Sequence, residues 1–124
     1  MSNDNKTVED FLAGKSDDSR LLFYHFLHEY HKIGVIEVHP AKTMIGISNS
    51  HKRIAWITQI GKNFIHVVFP FTKPYPDNLC FQNIAQVPGD KKQFNHHFRM
   101  YSVEDVNEEV VGFMRLAYND EVEI

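Results

Sequence analysis

The chain has 124 residues, 43% of them apolar and 23% charged, and its 16 acids against 13 bases leave a net charge of −3 with histidine neutral. A domain of this length buries about two-thirds of the surface its unfolded form exposes, so one hydrophobic core suffices. The acidic balance, with Lys52-Arg53 and Lys91-Lys92 as isolated basic pairs, argues against a general nucleic-acid binder, which needs clustered cations to displace counterions from phosphates.

Residues 1–6 read as a disordered, polar start without the apolar run of a signal peptide, and residues 121–124 as a tail around one α+β domain spanning 7–120. Thr7-Val-Glu-Asp10 places a capping hydroxyl three residues before a carboxylate and opens a short helix closed by Gly14. Ser16 or Asp17 starts a longer helix running towards Lys32, with Asp17 and Asp18 against its positive dipole end. Leu22, Phe26, Tyr30 and Ile33 follow helical spacing, and Phe23 with Leu27 widens that stripe into a core face.

After Gly34 the period changes to alternation. Val35 to Val38, Thr43 to Ser48, Arg53 to Ile60 and Phe64 to Phe69 read as four short strands of an antiparallel meander, joined by turns at 48–52 and 61–63. Alternation places Ile54, Trp56, Thr58 and Ile60 on one face of the third strand and Ala55 and Ile57 on the other, so both faces are partly apolar. Helices are expected on one face. The other either lines a cleft or meets a second copy, because soluble monomers seldom expose large apolar patches. Pro70 to Pro76 reads as the exit from the sheet into a loop through Gln82, since proline supplies no ladder donor. Ile84 to Val87 reads as a brief edge element, and Phe94 to Met100 as the last strand. Ser102-Val-Glu-Asp105 opens a final helix carrying Val103, Val106, Val110, Phe113, Met114 and Ala117.

Chemical signatures are sparse. The lone cysteine, Cys80, excludes an intrachain disulfide and a thiolate metal cage and fits a reducing compartment. No stretch approaches the ~20 apolar residues that span a bilayer, so a soluble, cytoplasmic protein is expected. There is no G-x-S-x-G, no glycine-rich phosphate loop and no H-E-x-x-H. The 8 histidines raise metal binding as a question. His25, His28 and His31 recur every third residue, a step that drifts about 60° round a helix, so two of them at most share an ion and the set reads as a wet helical face. His96 and His97 point to opposite sides of their strand. His97 joins Asn95, Arg99 and Tyr101 in a polar row able to offer donors to an anionic or carbonyl ligand.

Val8 to Lys15, His39-Pro-Ala-Lys-Thr43, Lys52-Arg-Ile-Ala-Trp-Ile57 and, above all, Asn95 to Val110 ending in Leu116-Ala-Tyr118 resemble the bacterial domain-of-unknown-function family 5655. The resemblance spans about Val8 to Tyr118. Members are stand-alone small proteins or carboxy-terminal modules, sometimes labelled predicted transport proteins, and the resemblance implies recurring features at Lys42, Thr43, Trp56, His97 and Tyr118. The segment from Ile60 to Gln82 departs from the family's longer, arginine-rich strand region. A looser likeness is to other small uncharacterised α+β domains that have been compared with frataxin-like iron chaperones, a group in which acidic ridges matter, and it draws attention to Glu104, Asp105, Glu108 and Glu109.

The expected fold is α+β: an antiparallel sheet of about five strands with N-terminal helices and a C-terminal helix on one face. The expected function is a non-enzymatic binding or accessory module that uses its open sheet face for self-association as a homodimer or for a small-molecule or protein partner, without cofactor, nucleic acid or membrane. Lys42, Thr43, Trp56, His97, Arg99 and Tyr118 are the candidate ligand residues, and no catalytic residue is assigned. The alternative is a metal-binding protein or metal-dependent enzyme using His28, His31, His66 and His97.

Overall fold

Thr7 caps the first helix as its hydroxyl leads one to expect. In the computed structural model, which describes residues 6–119, the Asp10 amide donates to Thr7 Oγ1 (3.1 Å) and the Thr7 amide donates back to the Asp10 carboxylate (2.9 Å). Helix α1 (Val8–Leu12) follows, and Gly14 turns the chain at φ 75°, a left-handed conformation that glycine adopts without a Cβ clash. The expected tail and all of the expected disordered start except Lys6 lie outside the described residues; Lys6 donates its amide to Ala41 O (3.1 Å).

Ser16 caps α2 (Asp17–Ile33), which buries Leu22, Phe23, Phe26 and Tyr30 on one stripe. Ser19 is fully buried near its start; its hydroxyl donates to Gly61 O (2.5 Å) and accepts from the Asn63 amide (2.8 Å), tying the helix to a turn 42 residues or more away in sequence. Ser19→Ala strands both backbone groups of that turn and is expected to cost about 1–3 kcal/mol. A urea midpoint equal to that of the wild type would refute the clamp.

The sheet has six antiparallel strands, β1 (Glu37–Pro40), β2 (Ile45–Ser48), β3 (Arg53–Gly61), β4 (Phe64–Phe71), β5 (Asn83–Gln86) and β6 (Phe94–Met100), in the order β1-β2-β3-β4-β6-β5. The sixth is the edge element at Ile84, which pairs with the first half of β6. A 3-10 turn (Val103–Asp105) and α3 (Glu108–Asn119) complete the chain. Helices α2 and α3 pack on β3 and β4 and on each other, closing the core over one sheet face. The Tyr30 hydroxyl, fully buried, donates to Met114 O (3.0 Å) and joins the two helices. No helix among the described residues is long and apolar enough to cross a membrane.

Three local expectations are corrected. The register of β3 against its neighbours shifts twice, between Ile47 and Ser48 and between Ile57 and Gln59, so strict alternation fails. An extra residue at each shift puts Ile54 and Ile60 into the core with Ala55 and Ile57, leaving Trp56 on the helix-free face. Second, Pro70 lies inside β4, opposite Asn95 of β6. Pairing of β4 with β3 ends at Val68, so at Pro70 the strand has a free edge where no ladder donor is required. Third, the final helix is broken. Asp105 accepts the amides of Tyr101 (2.7 Å) and Ser102 (3.0 Å) and caps just the 3-10 turn, after which Asn107 accepts from the Val110 amide (3.0 Å) and starts α3 afresh.

Candidate functional site

The helix-free face of the sheet is built mainly by β3, β4 and β6, and no aspartate or glutamate occurs in any of the three. Among the described residues the acids belong to the helices, the turns and loops and the outermost β1. Strand register brings Gly46, Trp56, Val68, His97 and Asn83 into one row across five strands, and Gln59, His66 and Arg99 into the next.

Cations roof the aromatic rings. The Arg53 guanidinium sits 4.7 Å from the Trp56 ring centre, and Arg99 sits 4.3 Å from that of Phe64, which also contacts Tyr101 at 6.1 Å. Arg53 reaches Trp56 across Gly46: a Cβ at position 46 would come within 2.7 Å of the guanidinium, so the missing side chain makes room for the stack. Arg53 also donates to Ser48 Oγ (3.1 Å). Between the two stacks Val68 is 5% exposed although no helix covers it. This face is therefore neither bare grease nor fully wetted, with two of its aromatic rings lying under arginines.

His66 and His97 meet between these stacks, with Nε2 of His66 2.9 Å from Nδ1 of His97, while Arg99 Nε donates to His66 Nδ1 (3.3 Å). Burial depresses the pKa of His66, and the neighbouring His97 and Arg99 depress it further; burial does the same to His97. Both rings are thus held towards the neutral state. On the opposite face His96 is fully buried among Phe71, Tyr75 and Phe81, accepting the Tyr75 amide at Nε2 (3.1 Å) and bonding Phe94 O through Nδ1 (2.9 Å). It anchors the 72–82 loop to the sheet.

Of the candidate residues, Trp56, His97 and Arg99 share this face. Lys42 and Thr43 are exposed in the β1–β2 turn, where Thr43 borders a separate cleft of about 440 Å³ with Lys6, Lys15 and Asp10. Tyr118 belongs to the end of α3, where its hydroxyl donates to Val35 O (2.9 Å) and its carbonyl accepts from Asn49 (2.8 Å). Arg53 and Phe64 belong to the site as well. Arg53 stands three residues before Trp56, and strict alternation would part them; the bulge that unites them has no signature in the residue pattern.

The four histidines of the metal alternative do not converge. His28 and His31 are exposed on α2, in the helical layer, and the sheet separates them from the face that carries His66 and His97. No group of three or more His, Cys, Asp or Glu among the described residues is placed to hold an ion. The acidic ridge is divided by the helix break, and two of its members are engaged, Asp105 with the amides above and Glu109 with the Leu79 amide (3.0 Å). Burial, followed by the nearby Glu109, pushes the Cys80 thiol up to about 12, so it stays protonated at neutral pH.

Residues 8–121 match the family model described as Domain of unknown function (DUF5655). No curated protein and no solved structure matches the chain.

Proposed function

Because the chain belongs to the DUF5655 family, whose description assigns no activity, we propose its role from its own surface: a non-enzymatic binding module that docks a carboxylate-rich segment of a protein partner on the helix-free sheet face. One observation carries the reading: the strands that build most of that face, β3, β4 and β6, hold Arg53, Arg99, His66 and His97 and not one acid, within a chain of net charge −3, and the one acid of the six strands, Glu37, lies at the outermost β1. Arginine and tryptophan are also the residues that concentrate binding energy in protein interfaces, and this surface presents both, already stacked. Self-association of two such faces is the less favourable use, since a two-fold axis sets like charges opposite one another.

The test titrates a labelled hexaglutamate peptide against the protein at low ionic strength. Binding that weakens with salt is expected, with a loss of about 5- to 30-fold for the Arg53→Gln/Arg99→Gln double variant, as two charge pairs of about 0.5–1 kcal/mol each require. Equal affinity of the double variant, or equal affinity for hexalysine, overturns the proposal. In sedimentation the free protein is expected to remain monomeric, and a dimer dissociated by Trp56→Ala would transfer this face to self-association.

A further inference from the structure

We infer that His97 is the carboxylate-recognition point of this face, a donor set by a hydrogen-bond chain running from Arg99 through His66, and that recognition there takes up a proton. The inference rests on the acidic-partner reading above and specifies where and how that partner is read.

The chain has one direction. The Arg99 guanidinium has donors and no acceptor, so its 3.3 Å bond to His66 Nδ1 requires a lone pair on that nitrogen. Neutral His66 then carries its proton on Nε2 and donates it to His97 Nδ1, 2.9 Å away. Neutral His97 in turn carries its proton on Nε2, which has no partner among the described residues. A permanently charged arginine, two residues along the strand, thereby sets a tautomer two rings away. The result is an oriented N–H on a half-buried ring, in a row with Trp56 and Val68.

No counter-charge faces this pair within the sheet. The neighbours of His97 are Val68 and His66 on β4, Asn95 and Arg99 on β6 and Asn83 on β5, with Arg53 beyond Trp56 on β3 and the neutral, buried His96 on the other side of the sheet. A proton already lies between the two rings. A second one on that pair sets two donors face to face and must part them, so the free protein resists protonation. A carboxylate docked on His97 Nε2–H supplies the absent negative charge and favours imidazolium. By linkage, binding then draws one proton from solvent onto the pair, and affinity rises as pH falls through the histidine range.

Histidine-selective ¹⁵N NMR of the free protein at pH 7.5 tests the chain directly: both rings are expected as Nε2–H tautomers, and an Nδ1–H form of either overturns the inference. Hexaglutamate is then titrated at pH 7.5 and at pH 5.5, where glutamate with a pKa of about 4.3 stays largely ionised. Binding roughly 3- to 10-fold tighter at the lower pH is expected, with the pH dependence lost in His97→Gln. Correct tautomers with pH-independent affinity, or a His97→Gln variant that keeps the full dependence, overturn the inference and leave the acidic-partner reading standing. Absence of binding at both pH values overturns that reading and the inference with it.

Discussion

Phe69→Ala is expected to destabilise the protein by about 3–5 kcal/mol, a large part of the roughly 5–15 kcal/mol that holds a small domain together. Phe69 is fully buried at the centre of β4, where its ring stands 6.4 Å from Phe26 of α2, 6.0 Å from Phe71 and 6.1 Å from Phe81. It is the point at which helix, sheet and the 72–82 loop converge. Truncation leaves a cavity lined by aromatic rings that pack edge to face or stack, and such rings cannot collapse into the space without losing their own contacts. Chemical denaturation gives the measurement. A loss below about 1.5 kcal/mol would mean that the loop closes over the gap and that Phe69 is not central to the core.

His96→Leu is expected to cost about 2–4 kcal/mol despite replacing a polar ring with an apolar side chain of similar bulk. The loss comes chiefly from the Tyr75 amide, whose acceptor is removed inside the aromatic box, while the Phe94 carbonyl keeps its place in the ladder opposite Phe71. Hydrogen exchange should show the Tyr75 amide opening much faster, with protection of the β3–β4 ladder retained. Equal protection of Tyr75 in the variant would show that the ring is not its anchor.

The same histidine contributes to acid sensitivity. Burial lowers the His96 pKa from its usual 6.5, against the opposing pull of the Phe94 and Phe69 backbone bonds, and burial also lowers His66 and His97. A group depressed in the folded state stabilises the fold at pH values above its unfolded pKa, and that contribution disappears as pH falls through the folded value. Stability is therefore expected to decline from about pH 6.5 downward, before carboxylates titrate. The decline should be shallower in His96→Leu, and a midpoint independent of pH between 7.5 and 5.5 would contradict the neutral assignment of the buried His96 and the half-buried His66 and His97.

Much of the fold was legible from residue patterns. The α2 stripe, the meander and the opposite pointing of His96 and His97 all follow from periodicity, because helical and strand spacing map directly onto faces. What escaped were features that depend on neighbours in space. Asp105 accepts the Ser102 amide as their spacing implies, yet whether such a cap starts an α-helix or one 3-10 turn depends on the next residues, and Val106 at ψ 75° interrupts the run. The two bulges in β3 moved Ile54 and Ile60 to the core because the partner strands, not β3 itself, set the register.

The site divides in the same way. His97 and Arg99 were readable together as alternate residues of one strand, whereas the sequence makes Trp56 most simply a core residue and its place on the uncovered face only the alternative. Arg53, Phe64 and the pairing of His66 with His97 required cross-strand geometry. Lys42 and Tyr118, drawn in by family resemblance, fall respectively in an exposed turn and at the end of α3, where Tyr118 ties the helix to Val35.

Arg53 and Arg99 sit over the Trp56 and Phe64 rings before any partner arrives. A free arginine side chain surrenders about 2 kcal/mol of rotational freedom when it is immobilised, whereas these two have already given up part of that freedom during folding. Their contribution to complex formation is thus partly prepaid in entropy, and for Arg53 that depends on Gly46, whose missing Cβ leaves the space the guanidinium occupies.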